Sequence, residues 1–255
     1  MKRIAIDINC DMGESYGRYP LGNDAAVMPF ISSCNIACGF HGGDPLVIQR
    51  TIKGARSHGL AIGAHPSYPD LQGFGRRSMK IAREELAALI SYQVSAIKGM
   101  VEQTGGRLHH VKPHGALYND IARDESLSQM VIEVVGSIDE DIYLVGLAGS
   151  VTASIAESKQ TRFIGEFFAD RNYENNGQLV SRNKENAVLH EPSAIAARVL
   201  HFCETGEVIS VEGKKLQLSA DTICLHGDHQ NAVASARAIH ETLSQVQIAI
   251  EKVSS

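Results

Sequence analysis

No stretch of the sequence approaches the ~20 consecutive apolar residues that a membrane-spanning helix needs. No excess of positive charge is present either. Lys and Arg number 24 against 29 Asp and Glu, a formal net charge of −5, so nothing electrostatic draws the chain to nucleic acid or an anionic bilayer. Two phosphate-cradling signatures are missing: there is no G-x-x-x-x-G-K-[ST], and no G-x-G-x-x-G opens the first helix. That removes both of these devices for holding ATP. The basic pair Lys2–Arg3 precedes only a short apolar run broken by Asp7, which does not make a secretory signal. The cysteines (Cys10, Cys34, Cys38, Cys203 and Cys224) are odd in number and lie mostly in apolar runs. This fits reduced, buried thiols in a cytoplasmic protein. Cys34 and Cys38 have no second pair to complete a structural zinc site. There is no repeat and no low-complexity tract. What remains is an ordinary hydrophobic fraction of 44%, enough for a sizeable core.

The stretch Asn35–Pro45 (NIACGFHGGDP) organises the chain. It reads as a buried strand, a sharp turn and a helix start. Gly42 and Gly43 permit a backbone closed to most residues, Asp44 suits a helix cap and Pro45 the first helical position. His41 is thereby placed at the carboxyl end of a strand. The same pattern recurs. Strands are expected at Ile4–Cys10, Asn35–Phe40, Ala61–His65, His109–His114, Ile142–Leu147, Phe163–Phe168 and Thr222–His226. Apolar ladders between them predict helices: Leu86, Leu89, Ile90, Ile97 and Val101 along one, closed by Gly105, and Leu127 to Ile138 along another. Further helices are expected over Ala194–Thr205 and Asn231–Lys252, and a small peripheral hairpin near 208–218 around Glu212-Gly213-Lys214. Strands alternating with helices throughout, with no linker, predict a single domain over 1–255 with a parallel sheet.

About seven βα units predict an irregular relative of the eight-stranded barrel, with a doubly wound open sheet as the competitor. Side-chain parity favours the barrel. Asp7, Asn9 and Asp11 share one strand face and Ile4, Ile6 and Ile8 the other; His110, Lys112 and His114 share a face, as do Glu166, Phe168 and Asp170, and His226 with Asp228. An open sheet covered by helices on both sides prefers apolar residues on both faces.

Active sites of such barrels gather at the carboxyl ends of the strands. That rule converges Asp11, His41, His65, Lys112, His114, Glu166, Asp170, His226 and Asp228 on one mouth. Singly, a lone Asp after a strand is usually a cap and a lone His a satisfied core group. Together they form a set of costly buried charges, which points to a functional pocket. Asp7 is read instead as a buried structural hydrogen-bond acceptor. The loop Tyr68–Arg77 carries Arg76 and Arg77, either a grip for an anion over the mouth or merely solvated arginines. Lys112 can stabilise developing negative charge or serve as a buried ion-pair partner. The histidines and carboxylates are ligand types for zinc or another divalent ion, but no pair stands at a diagnostic short spacing, so a metal stays open.

Six stretches carry a resemblance that spans nearly the whole chain: Asp7–Glu14 (DINCDMGE), Asn35–Pro45, Gly63–Arg77 (GAHPSYPDLQGFGRR), Val111–Asn119 (VKPHGALYN), Glu166–Tyr173 (EFFADRNY) and Ile223–Asp228 (ICLHGD). In these the sequence resembles the LamB/YcsF family. The resemblance implies an irregular seven-stranded β/α barrel related to polysaccharide deacetylases. It implies ATP-dependent opening of the lactam 5-oxoproline (pyroglutamate) to L-glutamate, shared with partner subunits B and C, with ATP a co-substrate of the complex. Catalytic roles are expected for Asp11, His41, His65, Lys112, His114, Glu166 and Asp170. Substrate binding is expected for Asn9, Asn35, Arg76, Arg77, Tyr118, Arg171 and His226. The deacetylase relatives hold a metal through an Asp and two His, a short-spaced pair that this sequence does not display. The rival readings are a stand-alone metal-dependent deacetylase or amidase, and a subunit that only organises its partners.

Overall fold

A computed structural model describes residues 3–228 and 230–254; Lys2 of the N-terminal basic pair lies outside them. In chain order the strands are β1 (Ala5–Met12), β2 (Ser33–Ala37), β3 (Ala61–His65), β4 (His110–Val111), β5 (Tyr143–Leu147), β6 (Phe163–Phe168), β7 (Glu207–Ile209), β8 (Lys215–Gln217), β9 (Thr222–Leu225) and β10 (Ala249–Ile250). The helices are α1 (Asp24–Val27), α2 (Pro45–Ser57), α3 (Arg83–Glu102), α4 (Gly115–Ile121), α5 (Glu125–Ile138), α6 (Val151–Ser158), α7 (Pro192–Thr205) and α8 (Ala232–Gln245). Strands β1 to β6 pair in sequence, all parallel, and β9 joins β6 to β1, which closes a seven-stranded barrel. This is the irregular β/α barrel expected, and the open sheet is excluded. No helix among the described residues is long and apolar enough to cross a membrane.

Local sequence explains the elements. Asp44 caps α2, accepting hydrogen bonds from the Leu46 and Val47 amides, with Pro45 at the first helical position. Asp124 and Ser150 cap α5 and α6 in the same way. The faces bearing Leu86, Ile90, Ile97 and Val101 on α3, and Met130, Val131 and Val135 on α5, are buried between helices and strands. The hairpin forms from β7 and β8, antiparallel.

Three strand or helix ends differ from expectation by three residues or more. The second strand ends at Ala37, so His41 sits in the following loop rather than at the strand's end. There Gly43 takes φ +81°, and a Cβ on it would stand 2.7 Å from the Gly13 carbonyl oxygen. The fourth strand shrinks to His110–Val111 because Pro113 has no amide hydrogen to continue a ladder. The last helix stops at Gln245 rather than Lys252, and Ala249–Ile250 pair with β1 instead. An apolar run of two or three residues is too short to distinguish strand from helix by periodicity.

Candidate active site

The barrel interior is built by parity. Alternate residues of β1 point inward, and each inward polar group meets partners from neighbouring strands. At the amino end Asp7 Oδ1 accepts from Ser32 Oγ and Ser33 Oγ, both at 2.6 Å, and Asp7 Oδ2 accepts from Thr222 Oγ1. One layer up, Asn9 Nδ2 donates to Glu166 Oε1 at 2.9 Å and to Thr222 Oγ1 at 2.8 Å. Asn35 Nδ2 bridges Asn9 Oδ1 (2.7 Å) and Asp11 Oδ1 (2.8 Å), and Asn35 Oδ1 accepts from His110 Nε2. The Lys112 ammonium, with the residue only 2% exposed, sits at the centre, 2.8 Å from Glu166 Oε1 and 3.1 Å from Asp11 Oδ1.

Burial alone would neutralise both Lys112 and Asp11. For Lys112 the field of Asp11, then Cys224 and Glu166, overcomes burial and holds the ammonium well above its ordinary value. For Asp11 burial pushes upward, but His65 and Lys112 pull the carboxyl well below the usual range. The group at the mouth of β1 is therefore a carboxylate, braced from two sides.

Above it lies an imidazole cluster. His41 stacks flat on His114, with ring centroids 3.7 Å apart, and His65 meets both edge-on. The loop after β3 folds over them: Gly75, at φ +63°, comes so close that a Cβ would lie 2.8 Å from His114 Cδ2 and 2.9 Å from His41 Cβ. His65 Nδ1 lies 2.6 Å from the Lys112 carbonyl oxygen, and His114 Nε2 lies 2.8 Å from that of Phe74. A carbonyl only accepts, so both nitrogens carry hydrogens. Neutral rings then present bare lone pairs from His65 Nε2 and His114 Nδ1 to each other across 2.9 Å. Two lone pairs at that distance repel unless a cation, either a proton or a metal, lies between or beside them. Burial, then His41 and His65, lowers the His114 pKa well below the ordinary value, which disfavours a proton on His114 Nδ1. Glu14 Oε1 stands 3.2 Å from His41 Nε2 and 3.8 Å from His114 Nδ1, and Asp11 Oδ2 stands 3.3 Å from His65 Nε2.

A cavity of about 440 Å³ opens above this floor at the carboxyl ends of the strands. Asp11, His65, Lys112, His114 and His226 reach it from below, with Tyr118, Arg76 and Arg171 at its sides. His226 Nδ1 lies 2.9 Å from both carboxylate oxygens of Asp170 and donates to them; among the described residues its Nε2 has no hydrogen-bond partner, and the residue lines the cavity. Asp170 thus orients His226 and does not itself line the cavity. Asn9, Asn35 and Glu166 lie beneath the floor as partners of Lys112 and Asp11, and His41 is packed behind His114. Of the arginine pair, Arg76 lines the cavity, ion-paired at 2.6 Å to Asp228, whereas Arg77 turns away to Asp70 with its side chain 65% exposed. Arg171 donates to the Val180 and Ala187 carbonyls and so anchors the loop that forms one wall.

Beyond Asp170 and Arg171, that loop was not anticipated as part of the site. Between β6 and α7 the chain runs through residues 169–191 with only isolated bridges, and its 179–183 stretch, with Arg182, lines the cavity. Arg123, just past α4, and Phe168 were also missed. One signal was available: a connection this long with no periodicity is uncommon inside a compact domain and is usually functional.

A closed parallel barrel with a charged, histidine-rich cavity at the carboxyl ends of its strands defines the class, and comparison with known proteins gives the family. The chain belongs to the LamB/YcsF family, whose model matches residues 6–255. It is 47% identical over 247 residues to the A subunit of 5-oxoprolinase from Bordetella pertussis, covering 97% of this chain and 98% of that one. It is 48% identical over 240 residues to the A subunit of 5-oxoprolinase from Acinetobacter baylyi, covering 94% of each. Among solved structures, a lactam utilization protein from Thermus thermophilus superposes with a TM-score of 0.92 at 39% identity, over 98% of this chain and all of that one. A family 4 carbohydrate esterase from Streptomyces lividans shares the fold alone, with a TM-score of 0.51 at 13% identity over 98% and 93% of the two chains.

The donor set beside the cavity floor fits a metal ion. Ligand atoms of Glu14, His41, His65 and His114 lie within 4.8 Å of one another, all in buried residues. His65 and His114 each donate the second ring N–H to a backbone carbonyl, the orientation metal-bound imidazoles adopt.

Proposed function

We propose that this chain is the lactam-opening component of an ATP-dependent 5-oxoprolinase, which converts 5-oxoproline to L-glutamate in the cytoplasm together with partner subunits B and C. The names of its relatives support the substrate and the assembly. The observation that carries the chemistry is the pairing of His226 with Asp170 beside Asp11 and Lys112 on the floor of one cavity.

A five-membered lactam is a stable amide, and ATP can drive its opening if the amide oxygen is first phosphorylated. The chain lacks both phosphate-loop signatures, so that transfer is assigned to the partner subunits. Water then adds to the ring carbon that bears the phosphorylated oxygen, with His226 Nε2 taking its proton and Asp170 stabilising the resulting imidazolium. The carbon–nitrogen bond breaks, the nitrogen leaves as an amine, and the remaining acyl phosphate is hydrolysed to a carboxylate and phosphate. Lys112 holds positive charge beneath the negative charge that develops on oxygen. Glu166 is buried under Lys112 and out of reach of the cavity, so the nitrogen's proton comes from the His226 imidazolium formed when water adds. A divalent ion held by Glu14, His41, His65 and His114 would add Lewis-acid polarisation of a bound oxygen.

The test is glutamate release from 5-oxoproline and ATP by the purified chain, with and without the partner subunits. Release that needs all components supports the proposal. Full turnover by the partners without this chain refutes it. The facing lone pairs of His65 and His114 favour one alternative, a metal-dependent amidase acting alone. That alternative predicts a tightly bound ion in elemental analysis, lost in His114→Ala, and ATP-independent hydrolysis abolished by chelators.

A further inference from the structure

The cavity wall carries more positive charge than its own residues neutralise. Arg76, Arg171 and Arg182 converge there from three points on the chain. Among the described residues only Arg76 has a carboxylate partner, Asp228. Arg171 is bonded to neutral carbonyls. Arg182 is half-buried, and its guanidinium has no hydrogen bond or ion pair among the described residues. The nearby acids are engaged elsewhere: Asp11 with Lys112 and His65, Asp170 with His226, and Asp120 with the hydroxyls of Tyr68 and Ser78. The guanidinium groups feel one another. Burial, then Arg182, pulls the Arg171 pKa down to about 10 against the field of Asp170, and burial, then Arg76, lowers that of Arg182 against the carboxylates of Asp228, Asp170 and Asp11. Like charges held together out of water are costly unless an anion joins them.

We infer that Arg182, with Arg76 and Arg171, forms a binding site for a phosphoryl dianion, so that the cavity receives its lactam already phosphorylated. The inference rests on the activity proposed above and deepens it. A planar guanidinium matches phosphate oxygens in a bidentate fashion, and three together exceed what a single carboxylate requires. The site lies at the side of the cavity and the His226, Lys112 and His65 groups on its floor. A ligand anchored by its phosphoryl group on the wall therefore presents its ring carbon to the floor. The substrate's own carboxylate is the other anion that the wall could take, and the experiment separates the two.

Calorimetric titration of the chain with inorganic phosphate and, separately, with 5-oxoproline is compared for wild type, Arg182→Gln and Arg182→Lys. Thermal melting confirms that each variant is folded, as expected for a side chain with no internal partner. Phosphate affinity should fall roughly 10- to 100-fold in Arg182→Gln, the loss of one or more charge-assisted hydrogen bonds. It should recover in part in Arg182→Lys, while 5-oxoproline affinity stays unchanged. Phosphate binding that is absent, or indifferent to Arg182, overturns the inference. So does a loss confined to 5-oxoproline, which would assign Arg182 to the carboxylate. Glutamate release with partner subunits is measured in parallel. If phosphate binding depends on Arg182 but no glutamate forms, the anion site stands and the activity proposal falls. If glutamate forms normally in Arg182→Gln, the site falls and the activity stands.

Discussion

Asp7 and Asp11 lie on the same strand, on the same face, four residues apart, and both are buried. Their pKa values shift in opposite directions. Asp7 sits among three hydroxyls, and burial outweighs them, so its pKa is raised. Asp11 is buried too, yet His65 and Lys112 hold it as a carboxylate. The lower barrel is a lock made of neutral donors. The upper barrel is a charged assembly whose members keep lone pairs free toward a cavity. Residue type and strand position do not separate structure from chemistry here; the neighbours on adjacent strands do.

The comparison can be broken most severely at the mouth. His226→Gln removes the free imidazole nitrogen and should lower glutamate release by the partner-complemented enzyme about 10²- to 10⁴-fold, the usual worth of a general base. The melting temperature should stay near wild type, because the Gln side-chain amide can still donate to Asp170. Near-normal release would take His226 out of the chemistry and return attention to Asp11.

Lys112→Met tests whether charge holds the upper barrel together. It leaves Asp11 and Glu166 buried without their shared cation, and breaking a buried pair costs about 3–5 kcal/mol. Urea unfolding should show a loss of that order together with lost activity. A stable, active variant would mean that Lys112 is dispensable in both roles.

Asp7→Asn sharpens the other side. Its amide cannot accept from all three hydroxyls, so stability should fall by about 1–3 kcal/mol while glutamate release is retained. The sign of the pH dependence follows from the raised pKa. A carboxyl whose folded pKa exceeds its unfolded value contributes most stability when protonated, and that contribution declines as pH rises from the ordinary aspartate range through the folded pKa. The stability gap between wild type and Asp7→Asn should therefore narrow over that interval. A gap that widens with pH would contradict the assignment.

The smallest effects distinguish Arg76 from Arg77. Arg77→Gln should leave both the unfolding midpoint and glutamate release unchanged, since that side chain is exposed on the outside of its loop. Arg76→Gln should reduce turnover through weaker ligand binding, read as a raised KM. Equal effects of the two substitutions would show that the loop acts as a unit.

Much of this was legible in advance. The seven barrel strands were readable because alternation along β1, and buried runs at β3, β5 and β6, leave short apolar signatures bounded by Gly, Asp and Pro. The structural role of Asp7 followed from its depth in the first strand. The length and position of β10 were not legible, since two residues carry no period. Nor did strand parity show that Asp170 serves His226, that Glu166 lies beneath Lys112, or that Arg77 points outward. Those depend on rotamers and on contacts between segments more than 50 residues apart, such as Asp170 and His226.

By itself the sequence determined the parallel βα barrel and most of the polar residues carried toward one rim, because strand period, caps and turn residues act over a few neighbours. Only the tertiary structure decided what those residues became. It set the His65 and His114 lone pairs face to face, bound Asp170 to His226 and left the Arg182 guanidinium on the cavity wall with no counter-ion among the described residues. The physical reason is that protonation, tautomer and ion pairing are set by distances of a few ångströms, and those distances are created by chain segments that the sequence keeps far apart.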